Sequence, residues 1–471
     1  MLVGRKKEIR LLMKAYNSNR SEFVALYGRR RVGKTYLIRE TFKDRFTFSY
    51  SGMANVSSKM QLQAFRDSLE EYGYVKGGVP RNWTEAFNML AKFLSRKKSR
   101  KKVVFLDELP WLDGPKSSFL PAFEHFWNNW ASARKDILLI VCGSATSWII
   151  NKIVKNHGGL HNRLTYRLPI DQFTLRECEE YAASLKLNLT RPMILEAYMI
   201  FGGVPYYWSQ LTGGLSLSQN IDELFFGKRA TFSTEFNELY SSLFKNPEPY
   251  IDIITALGKK KVGMTREEIV KATQLDANGR LTRYLGELEA CGFIHRYSAL
   301  GLKTKSAVFQ LIDNFTLFYF KFLASGKNTD RQFWSKNRTT PVFYNWSGLA
   351  FERVCLLHTE QIKRALGISG ILTGEYAWRT PPKNGNPGAE IDLLIDRADK
   401  AINICEIKFS SGKYSIDKKY AETLRNKAVC LRTETKTKKA IFLTMITTEG
   451  LVQNEYANEV HQSLNADILF E

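Results

Sequence analysis

The stretch that most limits what this chain can fold into is Phe23-Val24-Ala25-Leu26-Tyr27 running into Gly28-Arg29-Arg30-Arg31-Val32-Gly33-Lys34-Thr35. A short apolar run followed by a glycine-bounded loop and a helical pattern is a strand–loop–helix unit whose backbone N–H groups can wrap phosphates. In that unit the whole loop Gly28–Thr35 binds nucleotide: Lys34 reaches the β- and γ-phosphates, and the Thr35 hydroxyl sits on Mg²⁺. A second run, Val103-Val104-Phe105-Leu106, ends in Asp107-Glu108, placing one acid to hold Mg²⁺ and one to polarise an attacking water. Further apolar runs at Phe46–Tyr50 and Ile137–Cys142 alternate with helical patterns, which predicts a parallel α/β sheet with crossover helices over residues 1–170. ATP and Mg²⁺ are the cofactors these residues imply.

The chain is 471 residues long, enough for several cores, and its 44% hydrophobic content is that of a globular protein. Its net charge of +22 favours a polyanionic partner, nucleic acid before an anionic membrane surface, although a single-sign surface also serves solubility. The excess lies in the first three quarters; residues 346–471 are close to neutral. Six scattered cysteines with no C-x-x-C pair fit reduced thiols, and no apolar stretch is long enough for a signal core or a membrane span, so a cytoplasmic location and no membrane partner are expected. After the first 170 residues the pattern predicts a helical lid (171–246), a three-helix unit with a hairpin (247–312), a helical connector (313–345) and a last α/β unit (346–471).

These motifs resemble the archaeal ATPase family, AAA-type ATPases of the signal-transduction NTPase lineage. The opening Val3-Gly4-Arg5-Lys6-Lys7-Glu8-Ile9 is similar to the family's G-R-x-x-E motif, which implies that Gly4 and Arg5 lie near the adenine. Ile140-Val141-Cys142-Gly143-Ser144 resembles the fourth strand, with Ser144 at the γ-phosphate-sensing position. Arg163 matches an arginine that senses or stabilises phosphate, and Gly202-Gly203-Val204-Pro205 matches the lid turn, where Pro205 would meet nucleotide and where plain chain reversal is the other reading.

In Asn278–Leu288 the leucines at 281, 285 and 288 share one helical face, and Arg280 and Arg283 another. With the strand pair that follows, this predicts a winged helix whose basic face meets DNA, assisted by Arg296, His295, Lys303 and Lys305. The run Arg96-Lys97-Lys98-Ser99-Arg100-Lys101-Lys102 is either a phosphate contact or a solvated loop.

Near the C-terminus, Ala389–Asp396 and Ala401–Phe409 read as a hairpin. Period-two alternation puts Glu406 and Lys408 on one face, and a loop of three or five residues adds Asp392 to it. Two carboxylates and a lysine are what Mg²⁺-dependent phosphodiester hydrolysis requires. The order D…E-x-K resembles the PD-(D/E)XK superfamily of restriction-endonuclease-like folds, which implies an extra acid at Glu352 and lysines on the following helix at Lys418 and Lys419; Glu390 competes with Asp392 as a ligand. The expected whole is an α/β P-loop ATPase with a helical lid, a winged helix and a nuclease-like domain, acting on DNA, with homo-oligomerisation left open. The alternatives are a nucleotide-switched DNA-binding regulator with an inactive terminal domain, and an ATP-controlled assembly switch.

Overall fold

A computed structural model of the chain describes every residue except Met1, Lys76, Ala145, 155–157, Lys245, 298–306, 327–329 and 383–387. Lys303 and Lys305 lie outside the described residues. Two units divide the chain: Met1–Gln172 with Ser241–Lys245, and Phe173–Tyr240 with Asn246–Glu471.

In the first unit the apolar runs become five parallel strands, β1 (Glu22–Tyr27), β2 (Phe46–Ser51), β3 (Lys102–Asp107), β4 (Ile137–Cys142) and β5 (Tyr166–Pro169), in the order β2-β3-β4-β1-β5. β3 and β4 are buried at every position because helices cover both faces, which is why their sequences are continuous rather than alternating. On one side α1 (Lys6–Asn17) and α2 (Lys34–Phe42) bring Leu12, Leu37 and Phe42 onto Val24, Phe105 and Ile140. On the other, α3 (Ser58–Glu71), α4 (Trp83–Arg96) and α5 (Phe119–Phe126) bring Phe65, Trp83, Phe87 and Phe119 onto Phe23, Val104 and Leu139. Because β4 lies between β1 and β3, the loops after all three strands open at the same edge of the sheet, the carboxyl edge where α/β sheets bind ligands.

The basic run before β3 is only partly a surface feature. Lys101 and Lys102 are buried, the first donating to the Ser18 and Arg20 carbonyls and the second to Asp136 at 2.6 Å, and Lys97 donates to Tyr72 O at 2.9 Å. These ammonium groups satisfy carbonyls and a carboxylate at the sheet's end, which leaves Arg96, Lys98 and Arg100 exposed.

The second unit begins with α6 (Leu175–Ser184) and α7 (Arg191–Phe201). The Gly202-Gly203 break after α7 is a close approach of backbones: a Cβ on Gly203 would lie 1.8 Å from Phe173 O, and Phe173 N donates to Gly203 O at 2.6 Å. Beyond several further short helices, α8 (Glu248–Gly258), α9 (Arg266–Thr273) and α10 (Gly279–Ala290) stand with a small antiparallel sheet of β6 (Met264–Thr265), β7 (Ile294–Tyr297) and β8 (Val308–Leu311) in the order β6-β8-β7. Leu281, Leu285 and Leu288 are all buried, whereas Arg280, Arg283 and Arg296 are exposed. The segment after β8 is tied to the helical part by Asp222, which accepts from Trp334 N at 2.7 Å, and by Glu196, which accepts from the Trp334 indole at 3.1 Å.

The last part is a five-stranded sheet: β9 (Thr373–Thr380), β10 (Ala389–Arg397), β11 (Ala401–Lys408), β12 (Ala440–Thr447) and β13 (Gln462–Asn465), ordered β13-β12-β11-β10-β9. The first three run antiparallel and the last three parallel. α11 (Pro341–Leu357) lies against β11, and α12 (Lys418–Thr435) packs Ala421, Leu424 and Leu431 onto Leu394, Ile402 and Ile404. No helix among the described residues is long and apolar enough to cross a membrane.

Candidate functional sites

The first site is built at the ends of β1, β3 and β4. After β1 the chain turns at Gly28, where φ is 142° and an added Cβ would sit 2.3 Å from Ile170 O, so only glycine fits. Gly33, at φ 86°, caps α2 without a side-chain hydrogen bond, and a Cβ there would meet nothing within 4 Å. The N-terminal N–H groups and positive dipole end of α2 thus follow directly on the glycine turn, the arrangement that suits a phosphate. Lys34 is buried and donates to Gly28 O and Arg29 O, both at 2.8 Å, which holds its ammonium across the loop. Thr35 Oγ1 donates to Asp107 Oδ2 at 2.8 Å. A hydroxyl and a carboxylate at the N-terminus of α2 are hard oxygen donors of the kind Mg²⁺ takes, so these residues fit the expected ion.

Asp107 Oδ1 also accepts from Glu108 N at 2.9 Å, which fixes the turn after β3. Glu108 adopts φ 47° and ψ 45°, and Ser144, following β4, grips it twice: N–H to Oε2 at 3.1 Å and Oγ–H to Oε2 at 2.9 Å. Ser144 is therefore placed as the residue that orients Glu108. Arg5 is buried, with its guanidinium donating to Val32 O at 3.2 Å and to Asp171 O, so it braces the loop, while Gly4 precedes it at φ 64°. Arg163 is exposed in the turn before β5, its N–H bonded to Leu160 O at 3.1 Å. Pro205 belongs to the second unit, at the start of the helix Pro205–Trp208.

The second site lies within the second unit, on β10, β11, α11 and α12. The hairpin loop is Ala398–Lys400, three residues ending with Lys400 at φ 64°; the β10–β11 pairs run as far as Leu393↔Cys405, and Asp392, next along β10, lies near enough to Glu406 for their charges to interact. Asp392 Oδ2 accepts from Ile407 N at 3.0 Å. Glu406 is almost wholly buried, accepts from Lys427 Nζ at 2.6 Å and Tyr420 OH at 3.1 Å, and is pushed up to about 7 by burial and by the neighbouring Asp392. Lys408 lies over the Tyr420 ring, 5.2 Å from its centre. Glu352 on α11 is buried and accepts from Arg353 at 2.7 Å.

Three of the acids singled out from sequence thus come to one region, joined by residues that carried no local signal. Lys427, not the exposed Lys418 and Lys419, meets Glu406: in the first turn of α12 it is Tyr420 and Ala421 that face the sheet, and Lys427 returns to that face two turns on. Lys261, from the turn between α8 and β6, lies 2.9 Å from Glu352 Oε2 and 3.7 Å from Asp392 Oδ1. Burial works against its charge, but Glu352 and Asp392 outweigh that and hold the ammonium above its ordinary range. A cavity of about 30 Å³, room for one water or ion, opens onto Glu352, Glu390 and Asp392. The donors are carboxylate oxygens, which suit a hard divalent cation. As the side chains stand, no three His, Cys, Asp or Glu among the described residues form a cluster able to hold a metal; Lys261 lies beside Glu352 and Asp392, and Lys427 beside Glu406.

Residues 2–211 match a family model described as an ATPase domain predominantly from Archaea. Over 438 residues, 91% of this chain and 92% of the relative, the sequence is 24% identical to an uncharacterised protein of Methanocaldococcus jannaschii. A 45-residue stretch is 44% identical to an uncharacterised ATP-binding protein of the same organism, covering 10% of this chain and 76% of that one. Among solved structures, a Walker-type ATPase of Pyrococcus abyssi aligns with 67% of this chain and 95% of its own, at 17% identity and a TM-score of 0.48. The Aeropyrum pernix ORC2 protein aligns with 66% and 90%, at 15% identity and a TM-score of 0.37.

Proposed function

We propose that this chain, whose residues 2–211 match a family model described as an ATPase domain predominantly from Archaea, couples ATP binding and hydrolysis to the handling of DNA, and that its C-terminal sheet is a Mg²⁺-dependent endonuclease of the PD-(D/E)XK kind. In the ATPase domain Lys34 and the N–H groups of Gly28–Thr35 bind the phosphates. Thr35 and Asp107 would hold Mg²⁺, which when bound offsets phosphate charge. Glu108, held by Ser144, orients the attacking water and takes its proton.

The α8–α10 unit, read as a winged helix, offers Arg280, Arg283 and Arg296 to DNA phosphates. In the terminal sheet Glu352, Asp392 and Glu406 would hold the divalent cation, and Lys408 orients water beside the phosphodiester. The observation that carries this reading is the approach of Asp392 to Glu406 on the neighbouring strand and, through Lys261, to Glu352 from α11.

The test is incubation of supercoiled plasmid with metal-stripped protein, adding back Mg²⁺ or Mn²⁺ with and without ATP, beside Asp392→Ala and Lys408→Ala. Metal-dependent nicking lost in both variants is expected. Absence of nicking in every lane moves the assignment to a nucleotide-switched DNA-binding regulator, a reading favoured by the lysines that already neutralise the acids.

A further inference from the structure

The turn between α8 and β6 is built to deliver one side chain. Gly263 N donates to Lys260 O at 3.0 Å, closing a tight turn over Lys260–Gly263. Gly263 itself sits at φ 78°, with Phe309 O 2.4 Å from where a Cβ would be, so the turn admits no other residue there. The carbonyl of Lys261 is fixed from two sides, by Gln310 Nε2 at 2.9 Å and by Arg353 Nη2. Arg353 is almost wholly buried and bonds at the same time to Leu311 O at 2.9 Å and to Glu352 at 2.7 Å. One guanidinium therefore locks the turn, β8 and the acid of α11 into a single arrangement.

The result is that the Lys261 ammonium, half exposed on its outer side, is pinned between two carboxylates that are only 6% and 7% exposed. Buried carboxylates demand a cation, because leaving either unpaired costs far more than a surface pair gains. Lysine meets that demand with three donors on a compact charge, but it does so from another module, at the place where the terminal sheet would take a metal.

We propose that Lys261 is an internal competitor for the divalent-cation site, so that the α8–α10 unit gates metal entry to the terminal sheet. This rests on the reading of Glu352, Asp392 and Glu406 as metal ligands. Metal loads when the ammonium leaves the Glu352–Asp392 pair, and a load on the unit that displaces the Lys260–Gly263 turn, such as DNA held along α10, is what moves it. A competitor present in most molecules lowers apparent affinity by the fraction of sites it leaves open, so one that occupies roughly nine sites in ten costs about tenfold.

The experiment is Mn²⁺ binding to the full chain, followed by electron paramagnetic resonance of the free ion. Proteins compared are wild type, Lys261→Met, Lys261→Arg and each of these carrying Asp392→Asn, which identifies the binding that belongs to this site. Met keeps the apolar stem, and Arg keeps both stem and charge as a check on folding. The expected result is Asp392-dependent binding about tenfold tighter in Lys261→Met than in wild type, with Lys261→Arg at or near the wild-type value. Asp392-dependent binding of equal strength in wild type and Lys261→Met overturns the competitor and leaves the metal site standing. No Asp392-dependent Mn²⁺ in any of the proteins overturns the metal site and the competitor with it.

Discussion

Glu108 occupies left-handed backbone space at φ 47°, which a residue with a Cβ enters at a cost of roughly 1–2 kcal/mol. The surroundings impose it: Gly52 N donates to Asp107 O at 3.0 Å, and Gly52 lies so close to Glu108 O that a Cβ there would stand 2.6 Å away. Strain kept at one acid, with Ser144 holding its carboxylate on two hydrogen bonds, is what a water-orienting base needs and what a plain surface acid does not. Glu108→Gln keeps size and most hydrogen bonding but cannot take a proton, so ATP binding should persist while phosphate release falls by about 100-fold or more. Lys34→Ala differs in kind, since it removes the cation across the phosphate loop and should abolish nucleotide binding itself. Titration with a fluorescent ATP analogue beside a phosphate-release assay separates the two. Unchanged hydrolysis in Glu108→Gln would remove it from the mechanism.

At the scale of elements, the parts that were legible in sequence are those whose signal is local. The four apolar runs, the phosphate loop and the leucine face of α10 each announce themselves within a dozen residues, and the D…E-x-K hairpin in a span only somewhat longer. The strand β9 does not, because no residue in it is fully buried and only Tyr376 and Trp378, two apart, turn an apolar side to the core. Neither does β13, a four-residue edge strand. Lys101 and Lys102 were hidden within a charge run whose burial depends on distant carbonyls, and Lys261 acquires its role only when α8 and α11 are brought together. His358 is a further case of a polar group whose meaning is tertiary. It joins α11 to α6, accepting from Leu175 N at 3.0 Å through Nε2 while Nδ1–H donates to Val354 O at 2.8 Å, which assigns a neutral ring. Complete burial lowers its pKa from 6.5 to about 4. The imidazole is neutral in both folded and unfolded chains above pH ~6.5, so its stabilising contribution is full there, and it is lost as pH falls toward 4, where only the unfolded chain readily takes up the proton. The loss approaches about 3 kcal/mol. Urea unfolding at pH 7.5 and pH 5 should therefore show a larger drop for wild type than for His358→Gln, and equal drops would mean that this ring is not the titrating group.

At the scale of the whole molecule the charge distribution becomes informative. A net +22 with a near-neutral C-terminal quarter means that the field able to draw a polyanion comes from the rest of the chain. The hydrolytic site proposed above, its lysines paired with its own acids, would not grip DNA strongly by itself, so under that proposal holding and cutting rest on different residues. Arg280, Arg283 and Arg296 are exposed, on α10 and β7 of a module that also carries Lys261, and they are the grip proposed for DNA. Each phosphate that such a residue neutralises releases a counterion and steepens the fall of log K with log salt by about 0.9. Anisotropy titrations of a labelled duplex between roughly 50 and 200 mM salt should therefore give a steep, sequence-independent slope for wild type. Replacing all three arginines with alanine should flatten that slope by nearly three and weaken unrelated duplexes alike, because phosphate contacts carry no base information. A variant slope equal to that of wild type would put the grip elsewhere, with exposed Arg96, Lys98 and Arg100 of the first unit the next residues to remove.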